Sequence, residues 1–505
     1  MAQAPAISPE VAANRGLITV FIMLATIMQV LDTTIANVAL PAMTGDLGAS
    51  PDTINWVLTS YIVAAAIMTP VTGWLSDRFG RRELFLASIV GFTLFSMLCG
   101  VAWSLESMVA FRLMQGVFGA AIVPLSQTFL LDINPKENHG SAMAIWGAGI
   151  MVGPIIGPTL GGWLTETMDW RWVFFINLPV GILSFFGLTA YLPRVTRRLR
   201  GFDWLGFAML SLGVGALQLM LDRGGEVDWF AAPEIWIELA LALTGFWVFG
   251  VHLATGKDTF IDAKIFADRN FSIGLVFIFV VGIILLASLA LLPPMLSRIF
   301  GYSTILTGLV MAPRGVGTMV SMLIVGRLVR VVDARALVLA GLGLTAWSLH
   351  MMTGFTPQMD TRLIVLSGVI QGLGLGLVFV PLSTVAFATL DPKFRTDGAS
   401  LFSLTRNIGS SIGISIVTLL LSRNVQINHA ELSAGLTAFD PALRQALPAA
   451  AQGAPGALAI LEQMVGVQAL MISYVADFKF MMLVTLAAIP LILLLRAPKP
   501  TPAPA

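Results

Sequence analysis

The chain has 505 residues, 57% of them hydrophobic and only 11% charged, with a net charge of +1 and a mean hydropathy of +0.86. Soluble domains carry about 25% charged residues, so this composition excludes a water-soluble protein and specifies a polytopic membrane protein. The near-zero net charge excludes nucleic acid as a partner, and a lone cysteine, Cys99, permits neither an internal disulfide nor a thiolate metal site.

A helix needs about 20 apolar residues to cross the hydrocarbon core. Apolar windows predict spans at 17–40, 53–73, 84–103, 106–131, 140–164, 171–192, 203–222, 234–254, 271–297, 303–329, 335–354, 362–390, 399–421 and 478–496. The polar start, Met1 to Arg15, runs into the first of these, which is expected to be a retained span rather than a cleaved signal. Fourteen spans return the chain to the side on which it starts. That side holds nineteen Lys and Arg against seven opposite, so both termini are expected in the cytoplasm.

The first span contains "VLDTTIANVALP", with Asp32 where a charge costs about 2.5–3.5 kcal/mol. At 100° per residue, Gln29, Asp32, Thr33, Ala36 and Asn37 share a face that is expected to line a cavity. There, alternate exposure to two compartments would let Asp32 load and release a proton. The competing reading is a static, paired Asp that orients the span. After the second span comes "GWLSDRFGRRE": Gly73 and Gly80 permit a tight connection, and Asp77, Arg78, Arg81 and Arg82 place charge at the surface. Positive-inside bias alone would place these arginines here, but it would not explain the glycines.

In the fourth span Arg112 shares a face with Gln115, Gly116, Gly119 and Val123. Three readings stand: a pair with Asp32, snorkelling to the outer interface, or another acidic partner. Asp132, at the inner end, reads as a surface or capping charge. In the fifth span Gly149, Gly153, Gly157 and Gly161 recur every four residues, forming a ridge for close packing, while Pro154 and Pro158 allow a bend.

"PLSQTFLLDINPKENHGSAMA" from Pro124 and "PLSTVAFATLDPKFRTDGASL" from Pro381 match at an offset of 257, and Gly73 and Gly326 open weaker echoes at 253. Two homologous halves follow, 1–200 and 265–505, with two spans inserted at 201–264. In the second half, Arg314 and Arg406 lie within spans as possible cavity charges, either neutralising a substrate or tying helices through carbonyls. The segment 424–477 is expected outside the membrane, its later part as an amphipathic helix on the membrane face.

The string Gly-x3-Asp-x2-Gly-Arg-Arg from Gly73 to Arg82 resembles the signature loop of the major facilitator superfamily. "LDTTIANVALP" at Leu31, "RLMQG" at Arg112, "GPIIGPTLGGWL" at Gly153, which includes Gly161 and Gly162, and "WRWVFFINLPVG" at Trp170 resemble motifs of its fourteen-span drug:proton antiporters, the EmrB/QacA type. The resemblance implies an all-α fold of two six-helix bundles plus two linker helices. It also implies proton-coupled efflux of amphiphilic toxic compounds by alternating access, or of a specific metabolite, fatty acid or lipid by the same machinery. It makes Asp77 part of a charge relay, links Arg112 to proton transfer and makes the fifth-span motif a hinge between halves. A periplasmic adaptor and an outer-membrane channel are implied partners in a double-membrane cell. Arg330 stands where the first half has Asp77, leaving a matching latch in the second half open.

His139, His252, His350 and His429 never fall at ligand spacing and no phosphate-binding Gly-x4-Gly-Lys loop occurs, so neither a metal nor a cofactor is expected and the proton gradient is the expected drive. No catalytic cluster suggests an enzyme, and a non-transporting scaffold would leave an intramembrane acid without a task.

Overall fold

With no water in the bilayer core, a spanning segment must satisfy its own backbone hydrogen bonds, and a helix does so within itself. The computed structural model describes residues 9–50, 53–193, 201–256, 259–437 and 441–495, and contains helices and no strands among them. Arg194, Arg197, Arg198, Arg200, Lys257, Arg496 and Lys499, counted above on the basic side, lie outside the described residues.

The spans are α1 (Pro9–Asp46), α2 (Trp56–Phe79), α3 (Arg81–Gly100), α4 (Leu105–Ile133), α5 (Lys136–Thr167), α6 (Trp172–Tyr191), α7 (Trp204–Arg223), α8 (Pro233–Thr255), α9 (Arg269–Phe300), α10 (Ile305–Leu328), α11 (Ala334–Met352), α12 (Thr361–Ala388), α13 (Arg395–Gly435) and α14 (Pro455–Ala488). Thirteen are long and apolar enough to cross a membrane. The other, α11, is 19 residues long with Arg335 and His350 near its ends, and packs between α12 and α14 as the fourteenth. The chain spans a membrane many times.

Contacts between helix ends reproduce the alternation read from the sequence. On the face carrying Arg78, Arg81, Arg330 and Arg395, hereafter the basic face, Arg269 Nε donates to Leu494 O at 3.0 Å and Trp74 Nε1 to Gly201 O at 3.1 Å. On the opposite, outer face Arg171 pairs with Asp46 at 3.0 Å and Tyr302 meets Thr361 at 2.7 Å. Helices α1–α6 pack as one bundle and α9–α14 as another. The inserted pair associates through Gly213 and Gly245, whose backbones touch. Helix α8 stays largely exposed, as suits a lipid-facing helix. Helix α7 instead lies across the seam: Gly215 faces Ile67 of α2, Ser411 Oγ of α13 donates to Gln218 at 3.0 Å, and Ser415 Oγ to Leu221 O at 2.9 Å.

The segment after residue 424 departs from expectation. It is not a helix lying on the membrane but the outward continuation of α13 and α14, with two short helices, Pro441–Ala446 and Pro448–Ala451, between them. No proline falls between Gly456 and Ile489, so the amphipathic stretch and the final span run on as one helix. Asn428 Nδ2 donates to Ser473 at 3.0 Å and His429 meets Glu462 at 2.8 Å, holding the two extensions together.

Helix α5 does break where the prolines predict. Pro154 cannot donate to Ile150 O, and the helix divides at Met151.

Candidate functional site

Five helices of the first bundle converge on one carboxylate. Asp32 of α1 receives Arg112 Nη1 at 2.7 Å and Gln115 Nε2 at 3.0 Å, both from α4, and Asn177 Nδ2 from α6 at 2.7 Å. Arg112 is oriented in turn by Gln115 Oε1 at 2.8 Å and by Val57 O of α2 at 3.1 Å, and its guanidinium lies 4.4 Å from the centroid of the Tyr61 ring. Ser96 and Cys99 of α3 close the back, the first accepting from Asn177 at 2.9 Å, the second 3.6 Å from Gln115 Oε1. An ionised carboxylate only accepts hydrogen bonds, and here three donors meet its two oxygens. Such satisfaction is what a buried ion pair requires. Of the three readings of Arg112, the structure selects pairing with Asp32.

The expectation that Asp32 faces a wet cavity is corrected. The residue is 1% exposed and Arg112 0%. Burial follows from contacts one helix cannot reveal: the donors come from α4 and α6, which seal the face of α1 on which Asp32 sits. Gln29, one turn nearer the basic face, donates to Tyr61 Oη at 2.8 Å but keeps its own carbonyl oxygen unpartnered.

A second constellation joins the two bundles at the basic face. Asp132, at the end of α4, pairs with Arg81 of the signature loop at 2.6 Å and with Arg395 of α13 at 2.8 Å. Its reading as a plain surface or capping charge is therefore overturned; its partners stand 51 and 263 positions away. Gly73 lies where a Cβ would strike the Asp397 carboxylate of α13, so glycine permits α2 to approach the other bundle. Gly80 holds φ +97°, a conformation open to glycine, at the joint between α2 and α3. Arg82 donates to Thr189 O of α6, Arg78 is exposed, and Asp77 is half-buried. The second half joins the first bundle through other chemistry: Arg330 Nη2 donates to Asn138 at 2.8 Å and Ser141 at 2.9 Å, while Gly326 abuts Ala144 of α5.

The fifth-span ridge faces inward on its own bundle rather than across the seam. Gly153, Gly157 and Gly161 lie against Val30, Thr34 and Ile35 of α1, and Thr34 Oγ1 donates to Gly153 O at 3.2 Å. Pro154, Pro158 and Gly162 belong to the same stretch of helix, and the seam lies on its other side, where Ile155 and Thr159 meet Gly315 and Gly308 of α10. Gly157→Val, whose branch would collide with Thr34, is expected to cost about 1–3 kcal/mol, read as a lower midpoint of thermal unfolding in detergent; an unchanged midpoint would deny the ridge its packing role.

Arg314, 5% exposed on α10, donates to Leu285 O at 3.4 Å, tying α10 to α9, and its Nη1 has no partner. Arg406, on α13, is half-buried where α13 crosses α9 closely at Gly282. No group of three or more potential metal ligands occurs among the described residues.

A sequence profile of the Major Facilitator Superfamily matches residues 22–414. The chain belongs to that superfamily. It is 37% identical over 436 residues to the multidrug export protein EmrB of Escherichia coli K12, covering 86% of this chain and 85% of that one. It is 35% identical over 439 residues to the fatty acid resistance protein FarB of Neisseria gonorrhoeae, covering 86% and 87%. Among solved structures, the human organic anion transporter MFSD10 superposes with a TM-score of 0.60 at 14% identity, over 95% of this chain and 100% of that one, a likeness of fold. The major facilitator architecture is thus established from sequence and from shape.

Proposed function

We propose that this protein is a multidrug exporter driven by proton antiport. The buried Asp32–Arg112 pair carries the reading: a transporter whose relatives bear multidrug-export names holds one acid, fully enclosed and fully hydrogen-bonded, in the bundle that must move. By the positive-inside bias the basic face is cytoplasmic, both termini lie there, and the membrane is the cell's inner, cytoplasmic one. The Asp132, Arg330, Gly73 and Gly326 contacts then close the cytoplasmic side, and the conformation described is the one shut to the cell interior.

In this scheme a proton reaching Asp32 removes the charge that holds Arg112 Nη1, leaving the guanidinium only Val57 O and Gln115. The pair loosens, α1 and α4 can shift, and the bundles rock about the seam. Proton return to the cytoplasm restores the pair. Moving one charge through about 100 mV supplies about 2.3 kcal/mol, so no nucleotide or other cofactor is required. In a double-membrane envelope, an adaptor and outer channel would meet the face from which α13 and α14 project.

Proteoliposomes with an imposed pH gradient test the scheme. Addition of an amphiphilic dye is expected to release protons in proportion to dye moved, and collapse of the gradient to stop both. Dye transport indifferent to the gradient would sink it.

Arg314 favours a second reading. A buried guanidinium with an open N–H suits a carboxylate, and FarB is a relative named for fatty acid resistance. A long-chain fatty acid that releases protons in the same assay, where cationic dyes do not, would decide for it.

A further inference from the structure

The acid cluster of the first bundle has an image in the second, and the image differs in where its carboxyl stands. Gln115–Gly116 of α4 recurs as Gln371–Gly372 of α12, 256 positions later. Gln115 Nε2 bonds to Asp32 of α1, and Gln371 Nε2 bonds to Ser288 of α9 at 3.1 Å. The last helix of each bundle completes the arrangement: Asn177 of α6 reaches Asp32, and the Met481 sulfur of α14 lies 4.0 Å from the Ser288 hydroxyl. At the place of Arg112 stands Gly368, against which Arg314 packs. The acid is gone from α9, yet one turn from Met481, on α14, is Asp477.

Asp477 is 0% exposed, and neither of its carboxyl oxygens has a hydrogen-bond partner. The hydroxyl of Tyr474, one turn away on α14, and Oε1 of Gln371 are likewise buried without partners. Phe478 meets Phe355 edge-on just beyond the outer end of α11, which places Asp477 in the outer part of the bundle. The titratable and charged groups on α14 and the helices packed against it are Glu462, Tyr474 and the exposed Lys479 of α14, Arg269 and Arg298 of α9, the latter's charge acting on Tyr474, Arg395, Asp397, Arg406, Arg423, His429 and Glu431 of α13, and Arg335 and His350 of α11. Among the described residues none forms an ion pair with Asp477.

An ionised carboxylate enclosed without donors or counterion is among the costliest groups to bury, so this setting favours the protonated form. As a mere packing group it would be a poor choice, since Leu or Asn would fill the site without that burden. We propose that Asp477 is a second proton-carrying site, on the C-terminal bundle, exchanging its proton with water when α14 shifts against α9 and α13. Only the O–H bond breaks and re-forms. The cycle then moves one proton more than Asp32 alone accounts for.

This inference rests on the proton-driven reading above. The test compares wild type with Asp477→Asn in proteoliposomes, using ethidium as probe, with infrared spectra of both proteins. The variant is expected to lack the C=O band of a protonated carboxyl present in wild type. It should export ethidium with one proton fewer per molecule, and Asp477→Glu should restore both. Identical bands, or equal proton-to-ethidium ratios, would overturn the inference while leaving proton-driven export intact. Wild type without any ethidium-linked proton flux would remove the parent reading and this one together. If Asp477→Asn does not fold, Asp477→Leu replaces it with the same expected outcomes.

Discussion

Asp32→Asn is expected to abolish uphill export while leaving downhill exchange of substrate. Asparagine keeps the size of the side chain and one acceptor oxygen, which can still face Arg112 while its amide turns to the Gln115 and Asn177 side, so the bundle should fold. It cannot change charge, and the step that opens the pair is lost. The partner change should behave differently. Arg112→Ala leaves an enclosed carboxylate with amide donors but no cation, and breaking a buried pair from one side costs about 3–5 kcal/mol. It should therefore lower the unfolding midpoint more than Asp32→Asn does. The double replacement, Asp32→Asn with Arg112→Ala, should recover much of that loss, because no unpaired charge remains. Thermal unfolding of the four proteins, with uphill and exchange transport side by side, checks the set. Additive losses in the cycle, or uphill export by Asp32→Asn, would remove the pair from the mechanism.

Asp132→Asn is expected to shift the resting conformation towards the cytoplasm-open form. One replacement removes both charge pairs that hold the signature loop to α13. Each is partly shielded from water, and together they are worth about 1–2 kcal/mol, roughly a 5–30-fold change in the ratio of two states. Labelling of cysteines placed along the inner half of the seam, in a Cys99→Ser background, should speed up accordingly. Unchanged labelling would mean that the glycine contacts at Gly73 and Gly326 close this face unaided.

The fourteen spans, the duplication and the inserted pair were legible because each depends on local properties: apolar length, charge bias and direct repetition. Asp32 and Arg112 stood out for the same reason, each being a charge in an apolar run. Their surroundings did not. That Asn177 would complete the cage, and that Asp32 would be dry, depended on how α4 and α6 fall against α1, which no single-helix periodicity encodes. Asp132 has the sequence neighbourhood of an ordinary helix end; what joins it to the second bundle is Arg395, brought near by the fold. Arg330 breaks the motif in charge, yet the second half still reaches the first bundle, with an arginine on neutral acceptors. Asp477 carries no signal of its own in the sequence, falling at the edge of the 424–477 segment, and its enclosure depends on how α14 packs against its neighbours.

Helix α7 is bonded to both bundles on one flank only, beside α2 and α13, with α8 standing outside it. A greasy compound dissolved in the bilayer therefore meets a fence on that side of the molecule. Lateral admission from the lipid would then fall to the opposite flank, where α5 and α10 pack directly against one another. The inserted helices thus give two otherwise similar halves a closed side and a working side.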